Sequence, residues 1–273
     1  MPLLQLLVNK LQLLIVIFSQ ICLVNFAICA VISSKMSFTK EMRKATRDVH
    51  DLSDALVNTK LAFALSNDTI WAEGLLIFYE LFRFLEEAMD RLNHTLIGEL
   101  DVPGMRRTDA FKCDLDFYLG KDWQKTYVPR KEVAQYVKYL ESVENSDPHL
   151  LMAYIYHLYM GLLSGGQILQ KKRQFFARFS PFKSQTQGYE ITKFENHTIS
   201  HIKRDLVKKM NEIAEDIGED TKQKLIDESR IVFIKNNEII RTVKGTSEIL
   251  LRKIAVVSMV LIICWILYSR FQS

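Results

Sequence analysis

Between Tyr154 and Gln167 the chain reads Tyr-Ile-Tyr-His-Leu-Tyr-Met-Gly-Leu-Leu-Ser-Gly-Gly-Gln, and three of its ten glycines, Gly161, Gly165 and Gly166, fall inside this stretch. The flanks have helical composition, yet each glycine weakens a helix by about 1 kcal/mol relative to alanine. His157, Gly161 and Gly165 recur at i, i+4 and i+8, so they share one helical face. A face without Cβ atoms admits a closely crossing helix, or a flat and bulky ligand laid against the backbone. The residues alone leave both readings open. The adjacent pair Gly165-Gly166 also predicts a kink at that point.

Only five prolines and ten glycines in 273 residues argue for long helices and few tight turns. With two hydrophobic ends set aside, roughly 215 residues remain, enough for one domain with a substantial core. The net charge of +4 is mild, and Lys and Arg are scattered rather than striped with aromatics, which excludes a nucleic-acid reading. Of four cysteines, Cys22, Cys29 and Cys264 lie in the apolar ends, leaving Cys113 alone in the body. A disulfide framework or a paired-cysteine metal site is therefore excluded there, as suits a reducing compartment.

The two ends favour lipid. Ile254 to Tyr268 is 15 residues without a charge, bracketed by Arg252, Lys253 and Arg270. It is shorter than the ~20 residues of a usual span, but snorkelling cations extend its reach. We expect a C-terminal transmembrane anchor over 252–270. Leu11 to Ile32 is apolar with polar interruptions, and residues 1–35 read as a signal-anchor or as an upstream-start artefact before Met36. Lys35, Lys40, Arg43, Lys44 and Arg47 follow this stretch and only Lys10 precedes it, so the body is expected on the cytosolic side.

The body, 36–245, shows helical periodicity throughout and no strand alternation, which predicts an all-α single domain of multiple helices. Thr39 is expected to cap a first helix whose apolar stripe is Met42, Ala45, Val49, Leu52 and Leu56, with Arg43, Arg47, His50 and Asp54 on another face. Trp71 to Leu92 reads as a long helix with Trp71, Leu75, Phe78, Phe82, Leu85 and Met89 inward and Glu86, Glu87, Asp90 and Arg91 in water. Further helices are expected over Ala110 to Leu119, Pro129 to Glu144, Asp147 to Phe176, Lys193 to Ile217 and Thr221 to about Lys244, with loops at Pro103-Gly104 and Ser180 to Gly188.

Ala45-Thr-Arg-Asp-Val-His50 resembles the first-helix motif of heme oxygenases, and Tyr156 to Gln167, with Gly161 and Leu163-Ser-Gly-Gly-Gln167, resembles their distal-helix signature. Phe194-Glu-Asn196 and Phe233-Ile-Lys-Asn236 are similar to two weaker landmarks, so the resemblance spans Thr39 to Lys244. It implies a heme oxygenase-like helical fold that sandwiches heme b, both substrate and cofactor, between two helices. His50 is then the axial iron ligand, with Asp54 fixing its tautomer. Arg43, Arg47 and Tyr156 fall at positions that meet heme propionates, and Lys203 or Lys208 supplies a further cation. Gly161 and Gly165 bring backbone toward iron-bound dioxygen, and Asn236 joins the catalytic set. The implied reaction converts heme to biliverdin, carbon monoxide and ferrous iron, with electrons from NADPH through cytochrome P450 reductase. Similarity to membrane-bound members places the chain at the endoplasmic reticulum membrane.

The chain departs from the family at three neighbouring polar positions. Leu162 stands where the family has an aspartate that orders distal water for proton delivery, and leucine offers no hydrogen bond. Leu158 stands for an arginine and Tyr154 for a histidine. These changes bear on efficiency and regiospecificity more than on heme binding. They leave two readings: a working heme oxygenase of reduced efficiency, or a membrane-tethered heme-binding or sensing protein that has lost turnover.

Overall fold

In the computed structural model the described residues are 36–64, 67–177 and 187–243, with 258, 259, 262 and 265. Among them the secondary structure is entirely helical, with no strand. The longer helices are α1 (Phe38–Ala45), α2 (Arg47–Ala64), α3 (Asp68–Arg91), α4 (Thr108–Leu119), α5 (Lys131–Ser146), α6 (Leu151–Gly161), α7 (Gln167–Ala177), α8 (Ile199–Asp216) and α9 (Glu219–Arg241). Residues 1–35 lie outside the described set. So does the expected anchor at 252–270, apart from four helical and exposed residues, Ser258, Met259, Ile262 and Trp265. Among the described residues no helix is long and apolar enough to cross a membrane.

The first helix is broken where a continuous one was expected. Thr46 turns its hydroxyl back onto the Met42 carbonyl at 2.8 Å, competing with the helical ladder, and its backbone sits at φ −103° and ψ 4°. Across this break Arg230 of α9 donates to the Ala45 carbonyl at 2.6 Å and to both oxygens of Asp48 at 2.7 Å. The junction is thus clamped two residues before His50. Thr39 is not the cap: α1 starts at Phe38, Thr39 is buried in its first turn, and its N–H donates to Asn211 Oδ1 of α8 at 3.0 Å.

α3 forms the centre of the core. Asn67 caps it by accepting from the Ile70 N–H at 3.1 Å, and Trp71, Leu75, Phe82, Leu85 and Met89 are buried as the periodicity requires. Phe78 is only half-buried. Glu86 corrects the expectation more sharply: it is buried, not solvated. Its carboxylate accepts from the backbone N–H groups of Arg107 at 2.5 Å and Thr108 at 3.1 Å, and from the Tyr159 hydroxyl at 2.8 Å. Placed before α4 from another helix, it satisfies amides that open α4 without an intrahelical partner. Lys193 to Thr198 is not helical either. A 3-10 turn covers Glu190–Thr192, and α8 begins at Ile199 under a Thr198 cap that accepts from the His201 N–H at 3.2 Å.

α9 is the floor of the candidate site. It packs along α1 and α2 on one side and along α6 on the other. The helix carrying His50 and the helix carrying the glycines therefore share one support.

Candidate functional site

The glycine stretch is a single bent rod. α6 runs to Gly161, then a π-helical turn covers Leu162–Gly166, and α7 continues from Gln167. A π turn inserted in an α-helix is rare and concentrates at functional positions. At Gly165-Gly166, where a kink was expected, the chain forms this π-helical turn.

The three glycines differ in what their missing Cβ permits. A Cβ at Gly161 or Gly165 meets nothing within 4 Å, so both face open space. A Cβ at Gly166 falls 2.9 Å from Leu162 Cδ1. Gly166 therefore makes room for Leu162 to fold along its own helix, while Gly161 and Gly165 present bare backbone outward. Leu162 is half-buried beside the core, and Leu158 is buried. Tyr154 is fully buried and its hydroxyl donates to Glu228 of α9, which also accepts from Tyr139 at 2.9 Å.

α2 presents His50. The ring is half exposed, with Nδ1 at 3.5 Å from Asp54 Oδ2 and 3.9 Å from Asp51 Oδ1. Its other neighbour is Phe233 of α9, edge-on at 5.4 Å between ring centroids. Phe233 in turn meets His157 of α6 at 5.0 Å. One phenyl ring thus bridges the imidazole of α2 to the helix that carries the glycines. His157 keeps some exposure as a residue, but its Nε2 is buried without a hydrogen-bond partner. Burial, with the nearby charges of His50 and Arg43 adding to it, lowers the His157 pKa to about 3, so the ring is neutral at physiological pH.

Cations and hydroxyls lie near these residues. Arg43 of α1 lies near the Tyr156 hydroxyl; burial raises the Tyr156 pKa, and the Arg43 charge opposes that rise. Lys203 of α8 donates to Ser164 Oγ of the π turn at 2.8 Å. Lys208 is directed elsewhere: it is mostly exposed and faces Glu212 at 3.5 Å. Arg47 is exposed. Asn236 is half-buried and accepts from the Tyr136 hydroxyl at 3.2 Å, which ties its side chain to α5. The structure therefore brings together His50, His157, Arg43 and Tyr156 around Phe233, and places Lys203 at the π turn. Reasoning from sequence gave His157 no firm role and missed Phe233 as the bridge; the i, i+4 spacing of His157 to Gly161 was the available signal.

A cleft of about 320 Å³ between α3 and α5, lined by Arg83, Glu87, Arg91 and Glu144 among others, includes neither His50 nor the glycines and is not this site. Among the described residues no cluster of three or more metal-ligating side chains occurs, and Cys113 is exposed.

Comparison with known proteins points to one family. The heme oxygenase family model matches residues 36–242. Heme oxygenase 2 of Oryctolagus cuniculus is 28% identical over 205 residues, covering 72% of this chain and 63% of that protein, so the chain spans less than two thirds of that relative's length. The heme oxygenase of Takifugu rubripes is 30% identical over 145 residues, 52% of each chain. Among solved structures, heme oxygenase 2 of Chlamydomonas reinhardtii, crystallised without heme, superposes with a TM-score of 0.68 at 27% identity, covering 76% of this chain and 97% of that one. Heme oxygenase-1 of Synechocystis, in complex with heme, gives 0.71 at 22% identity over 83% and 100%, a likeness of fold. On the match across residues 36–242, this chain belongs to the heme oxygenase family.

Proposed function

We propose that the chain is a heme oxygenase that binds heme b between α2 and the α6–α7 rod and opens the ring to biliverdin, carbon monoxide and ferrous iron. The observation that carries this reading is the pair of open Cβ positions at Gly161 and Gly165, on the rod that shares the α9 floor with His50. A flat macrocycle fits such a face, and the surrounding groups match its chemistry. His50 offers an imidazole nitrogen to iron while Asp54 stands by its other nitrogen. Arg43, Tyr156 and Lys203 offer donors to carboxylates, Arg47 adds a cation from the same helix face, and the apolar Phe233 suits a ring contact. Bound heme supplies the redox chemistry, with dioxygen and electrons from NADPH through a reductase. The protein's part is to orient the ring, exclude water and supply protons.

Proton supply is where this chain differs. Leu158 and Leu162 bring no donor or acceptor to the gap, and Tyr154 is committed to Glu228. Asn236 is engaged with Tyr136. Loss of a positioned proton donor costs a factor of ~10²–10⁴ in rate, so turnover is expected to be slow and its ring-opening position less strict. The same two leucines favour a second reading, in which the protein holds heme without opening it. The anchor at 252–270 and a cytosolic body at the endoplasmic reticulum membrane complete the proposal; the uncharged run from Ile254 to Tyr268 with its flanking cations supports them.

The test is product analysis. Purified protein with heme, NADPH and cytochrome P450 reductase is expected to lose its Soret band and release carbon monoxide and biliverdin. Heme bound but unchanged under these conditions selects the second reading.

A further inference from the structure

We propose that His157 Nε2 is a second nitrogen ligand for the iron of the bound porphyrin, filling the sixth position of the resting ferric complex. This rests on the porphyrin reading above. Four observations converge on it. His157 lies one turn before Gly161, on the helix whose next turn presents the two open glycines. Its Nε2 is buried and has no hydrogen-bond partner. Buried polar atoms are nearly always satisfied, so an unpartnered imidazole nitrogen one turn from the open glycines has a lone pair or N–H to offer a ligand. The ring meets Phe233 at 5.0 Å, and the same Phe233 meets the His50 ring at 5.4 Å, with interplanar angles of 64° and 67°. Two imidazoles therefore share one aromatic neighbour, which places them in the same part of the fold. Finally, an uncharged imidazole is the commonest side-chain ligand for a transition metal, and Leu158 and Leu162 place no polar group nearby to compete for Nε2.

The assignment gives the missing aspartate a new context. A sixth ligand held by the protein shields the ferric iron until reduction and dioxygen binding displace it. The chain then trades a water-ordering site for a protein-gated one.

The experiment is electron paramagnetic resonance and visible spectroscopy of the ferric heme complex of the full chain in detergent. Its variants are His157→Ala, His157→Gln, His50→Ala and the double His50→Ala/His157→Ala. The wild type is expected to be predominantly low-spin, with two nitrogen ligands. Both His157 variants are expected to shift to a high-spin signal with water as the sixth ligand, and to bind heme about tenfold more weakly. His50→Ala is expected to keep one nitrogen ligand, which only the double variant loses. Two His157 replacements of different size and polarity separate ligation from a packing defect, and circular dichroism checks that each folds. Heme uptake with a wild-type signal unchanged in both His157 variants overturns the ligand assignment alone. No heme uptake by the wild type overturns the porphyrin reading and this inference with it.

Discussion

Replacing Gly161 by alanine separates two roles that a glycine can have. Its backbone is ordinary helix, φ −62° and ψ −48°, and a Cβ there meets nothing within 4 Å. Folding alone therefore gives no reason for glycine. Alanine at such a position stabilises by about 0.4–1 kcal/mol, because the unfolded chain loses freedom and the helix loses a weak point. In a domain of about 200 residues that raises the melting temperature by ~1–4 °C. If a macrocycle lies on this face, the same methyl intrudes into its contact surface. Overpacking a close contact costs about 1–3 kcal/mol, which is roughly a 5- to 150-fold rise in the heme dissociation constant. The assay is a pair of measurements on one variant: thermal unfolding without heme, and heme titration followed at the Soret band. The expected result is opposite signs, a firmer fold and weaker binding, with Gly161→Leu larger in the binding term. An alanine variant that binds heme as well as the wild type refutes the ligand face. One that melts lower refutes the open space in front of Gly161.

Three further outcomes are expected. Leu162→Asp is predicted to speed ring opening tenfold or more by restoring a group that orders water, at some cost in stability because Leu162 packs against Gly166 and the core; a rate no higher than wild type removes the proton-supply account. Glu86→Ala leaves two amides and the buried Tyr159 hydroxyl without their acceptor, and is predicted to lower unfolding free energy by about 3 kcal/mol in denaturant titrations, with Glu86→Gln intermediate. Arg230→Ala tests the clamp at the α1–α2 junction. The Arg230 hydrogen bonds hold the Asp48 carboxyl down at about 2, so this pair stabilises the fold above the ordinary aspartate range and loses that effect as pH falls from about 4 toward 2. The stability difference between wild type and variant should be largest at neutral pH and narrow in acid to the part held by the Ala45 carbonyl bond; a difference that does not narrow between about pH 4 and pH 2 contradicts the assignment.

The helical class and most helix positions could be read from sequence, because apolar periodicity reports a buried face whatever covers it. That logic served Trp71, Leu75, Phe82 and Met89 well. It failed at Glu86, where the carboxylate is buried by hydrogen-bond partners some twenty residues and more away, which periodicity does not encode. It failed at Thr39, whose backbone N–H donates to Asn211 of a distant helix, and at Thr46, whose hydroxyl turns onto the Met42 carbonyl. In the gap, spacing alone put His157 and both glycines on one face. That Phe233 links His157 to His50, that Lys203 rather than Lys208 reaches the π turn, and that Asn236 is held by Tyr136 are tertiary facts set by how α8 and α9 dock.

Amide hydrogen exchange of the full chain, with and without one equivalent of heme, tests the central claim most directly. Heme held between α2 and the glycine face predicts slowed exchange in two segments distant in sequence, 43–54 and 157–166, with the rest of the body little changed. Protection in only one of them, or confined to the cleft between α3 and α5, would contradict it.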